Sequence, residues 1–207
     1  MRRLLILASA SPRRAEIMQA MGLRFATLPQ DVAELESGAP PAALTLANAR
    51  AKAEAAAGSA EAARLAGDPP YGGGFIAIGA DTVVHKGGEV IGKPADGADA
   101  VRILSALSGG VCEVYTGLWL CAGPGGPHAE GCEVSRVRVG RMAPASIEAY
   151  VRTGEPFGKS GAFTVFGKGS PFFDEIDGSY TNVMGLPAGM LYRSLASLGY
   201  GVEGNWA

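Results

Sequence analysis

The apolar positions change spacing along the chain, and each change predicts a different element. Continuous runs at Leu4–Ala8 and Phe75–Ala80 read as short strands buried on both faces. Pro12 opens a helix capped by Ser11, with Ile17, Met18 and Met21 on its apolar face and Gly22 as its stop. A second strand over about 24–28 leads to the polar pair Gln30-Asp31, and Pro40-Pro41 opens a long Ala-rich helix through Ala57. Helical spacing returns over Asp96–Leu107, with Val101, Ile103, Leu104 and Leu107 inward, then near Pro144–Arg152 and from about Pro187 to Leu198. Val83–Ile91 reads as a hairpin around Lys86-Gly87-Gly88-Glu89. Strands at Cys112–Cys121 and Glu133–Arg141 are joined by a Gly/Pro-rich turn. Residues 58–74 are small, Gly/Pro-rich and poorly periodic, and predict a mobile surface insertion; Gly154–Gly185 is Gly-rich without a clear element. Interspersed helices and strands predict an α/β class with a mixed twisted sheet and flanking helices, in one domain spanning residues 1–207.

Composition narrows the partners. The formal net charge is −2, so there is no basic surplus for a nucleic-acid backbone, and a phosphate ligand must be met by a few local cations. Three cysteines, Cys112, Cys121 and Cys132, have neither zinc-ligand spacing nor an even count for a disulfide framework. Histidine occurs twice, at His85 and His128, in no metal-ligand spacing, which argues against a zinc hydrolase or a Ser-His-Asp triad. No stretch approaches a membrane span. The short apolar start is followed at once by Pro12-Arg13-Arg14 with no cleavage segment, so the expected location is cytoplasmic.

Three clusters suit a phosphate compound. In Ser9-Ala10-Ser11-Pro12-Arg13-Arg14 a strand turns into a helix through small residues, presenting free N–H groups, a positive dipole end and two forked guanidinium groups. In Gly79-Ala80-Asp81-Thr82 a carboxylate follows an apolar strand, where it can hold Mg²⁺ or Mn²⁺ or accept a proton from water. Ile91-Gly92-Lys93-Pro94 comes after one hairpin, which would return the Lys93 ammonium toward Asp81. Each cluster taken singly also fits an ordinary turn, cap or solvated charge.

Together with Ser108-Gly109, Thr116-Gly117, Thr153-Gly154-Glu155-Pro156-Phe157, Ile176-Asp177-Gly178-Ser179-Tyr180, Asn182-Val183 and Gly185-Leu186-Pro187, these motifs stand in an order that resembles the Maf family over nearly the whole chain. The resemblance implies a fold akin to the inosine-triphosphate pyrophosphatases, with a cleft between two lobes and often a homodimer. It implies hydrolysis of a nucleoside triphosphate to the monophosphate and pyrophosphate with Mg²⁺ or Mn²⁺. Asp81 is then the implied catalytic base or metal ligand, with Glu34 as a second metal carboxylate. Arg13 and Thr82 are implied in substrate selection, and Ser9, Arg14, Lys52 and Lys93 in lining the cleft. The motifs are most like the branch that hydrolyses dTTP and UTP. That branch usually reads KAGAYGIQG where this chain reads Lys159-Ser160-Gly161-Ala162-Phe163-Thr164-Val165-Phe166-Gly167, so a base-reading Gln is replaced by Phe166. A phenyl ring stacks on a base but cannot read its edge, and broader base selection is expected. A second reading is a non-catalytic nucleotide-binding regulator of cell division and septum formation.

Overall fold

In a computed structural model that describes residues 2–203, a seven-stranded mixed sheet forms the centre. The elements are β1 Arg2–Leu7, α1 Pro12–Ala20, β2 Phe25–Thr27, α2 Pro41–Ala57, α3 Ala60–Gly67, β3 Tyr71–Lys86, β4 Glu89–Ile91 and α4 Gly97–Leu107. They continue as β5 Val111–Cys121, β6 His128–Val139, α5 Pro144–Arg152, β7 Phe173–Asp177, α6 Tyr180–Val183 and α7 Ala188–Ser197. The strand order is β2-β1-β3-β5-β6-β7, with β4 paired to the far end of β3. The pairings of β1 with β2 and with β3 are parallel and all others are antiparallel.

Both faces of the parallel half are covered, which is why its strands read as unbroken apolar runs. Leu4, Ile6, Phe75 and Ala77 pack under α2 and α3, while Leu5, Leu7, Ile76 and Ile78 pack on the opposite face with Met18 of α1 and Leu191 and Leu195 of α7. The outer half has its own core, where Ile103, Leu104 and Leu107 of α4 meet Val114, Val137 and Phe163. No helix of the described residues is long and apolar enough to cross a membrane.

Four expectations are corrected. Residues 58–74 are not an unstructured insertion: Ser59 caps α3 by accepting from the Ala62 N–H at 3.1 Å, and Ala62 and Ala66 are fully buried. Alanines four apart let this short helix sit close to the sheet, a face too small to register as apolar periodicity. Asp81 does not end a strand either, because β3 continues through it to Lys86. The Gly-rich stretch holds β7 and α6; the β7 sequence FDEID is polar on an edge, so it carried no apolar signal. β6 also starts earlier than expected, at His128, opposite Cys121.

The hairpin is as expected. Gly87 and Gly88 both have positive φ, 62° and 89°, the conformation a two-residue turn between twisted strands requires. It leaves a gap along one edge of β3. β1 pairs as far as Leu7 opposite Ile78, and β4 ends with Ile91 opposite Val84. Between those points the β3 edge has no neighbouring strand, and the functional side chains gather there.

Candidate functional site

The gap in the sheet opens into a cavity of about 590 Å³, lined by the β1–α1 turn, α1, β3 and the loops at 157–160 and 183–185. Ser9, Arg13, Arg14, Glu34, Lys52, Asp81, Thr82 and Lys93 all line it. Eight positions spread over 85 residues of sequence thus converge, and only Phe166 among the expected site residues does not. It is 67% exposed and is not among the residues that line the cavity, so it does not pack inward.

Close packing of α2 on the sheet builds the carboxylate side. A Cβ on Gly79 would lie 2.0 Å from the Ala49 carbonyl oxygen, and one on Gly117 would lie 2.4 Å from the Thr45 carbonyl carbon. Glycine on two neighbouring strands therefore lets the helix backbone reach the sheet directly. Asn48 and Lys52, one turn apart on the same face of α2, are carried to Asp81. The Lys52 ammonium donates to Asp81 Oδ1 at 2.8 Å, and Asn48 Nδ2 donates to Oδ2 at 2.9 Å. Lys52 also pairs with Glu34 at 3.1 Å. Asp81 is only 7% exposed. Desolvation offsets most of the attraction in so buried a pair, so net stability is a poor reason for its presence beside an apolar core.

Asp81 and Glu34 form an oxygen pair, the hard-donor chemistry that suits Mg²⁺ or Mn²⁺ bound partly through substrate phosphates. Among the described residues no three His, Cys, Asp or Glu side chains gather to hold a metal. The residues present therefore fit a cation that shares its coordination with a ligand.

Arg14 sits at the junction of the gap. Its Nε donates to the Gly185 carbonyl at 2.8 Å, Nη1 to the Ala80 carbonyl at 2.8 Å and to Ser9 Oγ at 3.0 Å, and Nη2 to Thr82 Oγ1 at 3.2 Å. Burial lowers its pKa, opposed by the charges of Asp81 and Glu34. With most of its donors spent on protein, Arg14 ties the start of α1, β3 and the 185 turn together. Thr82 lies 3.0 Å from the Thr116 hydroxyl, and the Thr82 carbonyl accepts from Ser160 Oγ at 2.8 Å. The free edge of β3 is thus satisfied by side chains instead of a strand.

The opposite wall is different. Arg13 and Lys93 make no hydrogen bond or ion pair among the described residues. Burial lowers the Arg13 guanidinium, offset in part by Tyr150 and Glu155. Lys159 donates to the carbonyls of Glu155 and Phe157, and its pKa is lowered by burial and then by Arg13. Burial pushes the Glu155 carboxyl up, but the N–H groups of Lys168 and Gly169 and the Tyr150 hydroxyl outweigh it and hold the carboxyl below its ordinary value. Glu155 thereby fixes the 164–169 loop behind Arg13. The expected Ser11 cap is absent: Ser9 Oγ accepts from the Ser11 N–H at 3.2 Å, and no side chain caps α1. The first-turn N–H groups remain open to an anion. Sequence reasoning missed Asn48 and Lys159. Asn48 had a usable signal, its position four residues before Lys52; Lys159 had only its place after the Gly154-Glu155-Pro156 motif.

Five cationic side chains face two carboxylates in the cavity, a surplus of three positive charges in a chain whose net charge is −2. With an open helix N-terminus at a break in an α/β sheet, this defines a binder of small polyanions. A family model described as Maf-like protein matches residues 4–198. The chain is 41% identical over 202 residues to a dTTP/UTP pyrophosphatase of Moorella thermoacetica, covering 97% of each chain. It is 38% identical over 207 residues to a nucleoside triphosphate pyrophosphatase of Streptomyces coelicolor, covering 100% of this chain and 96% of the relative. The chain belongs to the Maf family.

Proposed function

We propose that the protein is a nucleoside triphosphate pyrophosphatase, a hydrolase that cuts between the α- and β-phosphates and releases the monophosphate and pyrophosphate. The carrying observation is the division of the cavity into a carboxylate side, Asp81 with Glu34, and a side of unneutralised cations, Arg13, Lys93 and Lys159. A regulator that only binds nucleotide has no need of a buried carboxylate, Asp81, beside those cations. Names of the relatives support dTTP and UTP as substrates.

Arg13, Lys93, Lys159 and the open first turn of α1 hold the triphosphate, and Ser9 completes the small-residue turn beneath it. Asp81 and Glu34 would hold Mg²⁺ or Mn²⁺, which supplies Lewis acidity and neutralises phosphate charge. Each Asp81 oxygen already accepts one strong hydrogen bond, which leaves a lone pair to hold the ion or orient the attacking water. Those two donors stabilise the charged carboxylate, which favours a ligand and orienting role over outright proton abstraction. Lys52 keeps the two carboxylates together by countering their mutual repulsion.

A panel of dTTP, UTP, CTP and GTP assayed for pyrophosphate with Mg²⁺ tests the proposal. Release from dTTP and UTP, abolished by chelation, is the expected result. Nucleotide binding without any pyrophosphate release would return the regulator reading.

A further inference from the structure

We propose that Asn48 is a positioning residue that latches the segment carrying Glu34 against Asp81 and so sets the spacing of the two carboxylates. It deepens, and rests on, the reading of this cleft as a cation-assisted pyrophosphatase site. Segment 31–38 has no helix or strand, and residues 33–38 are all exposed. Leu35 is 52% exposed, and the partly buried Val32 joins none of the hydrophobic clusters. Among the described residues its hydrogen bonds and ion pairs to the rest of the protein fall at two points, Glu34 with Lys52 and Leu35 with Asn48.

Asn48 engages Leu35 as a neighbouring strand would. Its Oδ1 accepts from the Leu35 N–H at 2.8 Å, and its Nδ2 donates to the Leu35 carbonyl at 2.9 Å. The other Nδ2 hydrogen goes to Asp81 Oδ2 at 2.9 Å. Both Nδ2 partners are acceptors, so the orientation of the amide is determined by the network. The Glu34–Lys52 pair has a carboxylate 40% exposed, and a pair screened that far holds a mobile segment weakly. The buried neutral amide, 3% exposed, is the firmer hold. Aspartate in its place would set a carboxylate against both Asp81 and the Leu35 carbonyl, and leucine would lose all three bonds at similar volume.

The test begins on the unsubstituted, ligand-free protein. Amide hydrogen exchange should show Leu35 at least about tenfold slower than residues 33, 36 and 37, the effect of about one net hydrogen bond. Exchange at Leu35 as fast as its neighbours overturns the proposal without any variant or any turnover. In Asn48→Leu and Asn48→Ser, exchange across 31–38 should accelerate while α2 and β3 stay protected. The Mn²⁺ concentration for half-maximal pyrophosphate release should rise by about tenfold, with the nucleotide KM nearly constant. A lowered Tm with unchanged Mn²⁺ dependence would make Asn48 structural only. If the parent releases no pyrophosphate, the proposed function fails while the exchange experiment still decides the latch.

Discussion

The two walls of the cavity hold similar residues in opposite states. On the β3 side, Arg14, Lys52, Asn48 and Asp81 spend their donors and acceptors on one another and on backbone. Across the cavity Arg13 and Lys93 have no protein partner among the described residues, and Lys159 reaches only carbonyls. Adjacent arginines in one helix turn thus stand differently: Arg14 ties three segments together, and the Arg13 guanidinium is left without a hydrogen bond or ion pair among the described residues. A saturated group defines geometry, and an unsaturated charge marks where binding energy becomes available.

Asp81 gives the largest expected effect. Asp81→Asn keeps the side-chain shape but removes the charge between Lys52 and Asn48, and turnover should fall on the order of 10²-fold or more with the fold intact. Near-normal turnover in that variant would remove Asp81 from the mechanism.

The adjacent arginines sharpen the contrast directly. Arg14→Ala removes the donors to the Ala80 and Gly185 carbonyls, the second keeping only a long bond from the Thr82 hydroxyl, at about 1–3 kcal/mol for each bond lost, and Tm should drop by about 5–10 °C. Arg13→Ala should leave Tm near that of the parent while lowering kcat/KM by roughly tenfold or more, the scale of one charged contact. Its loss should be equal for purine and pyrimidine triphosphates, because phosphate contacts carry no base information. A thermal shift in Arg13→Ala as large as that of Arg14→Ala would erase the distinction between the walls.

Lys159 predicts a pH effect of intermediate size. Burial and Arg13 place its folded-state pKa below the ordinary 10.5, so it loses its charge earlier as pH rises. The alkaline limb of kcat/KM should therefore begin below 10.5 and move upward in Lys159→Arg, whose guanidinium stays charged. A limb unmoved by that substitution would assign it to another group.

Phe166 gives the smallest effect. A base-stacking role would make Phe166→Gln sharpen base selection, but the ring stands outside the cavity. The substitution should change relative kcat/KM among dTTP, UTP, CTP and GTP by less than about twofold, the range of surface changes away from a site.

The legible parts of the sequence were those with a local cause. The Pro12 helix start, the Gly87-Gly88 turn and the buried apolar runs of β1 and β3 follow from nearest-neighbour chemistry. The convergence of the Ser9–Arg14 and Asp81–Thr82 motifs on one strand edge, by contrast, was implied only by the family resemblance. What escaped depends on contacts remote in sequence. Asn48 matters only because Gly79 and Gly117 admit α2 to the sheet, and Arg14 differs from Arg13 only through carbonyls of Ala80 and Gly185. β7 and α3 were missed because one is polar on an edge and the other buries mainly alanine.

The most direct test of the central claim is product analysis by ³¹P NMR, with purified protein, dTTP and Mg²⁺. The account predicts loss of all three triphosphate resonances and growth of two signals, thymidine monophosphate and pyrophosphate in equal amounts. Accumulation of the diphosphate with orthophosphate, or no conversion of any triphosphate offered, would contradict it.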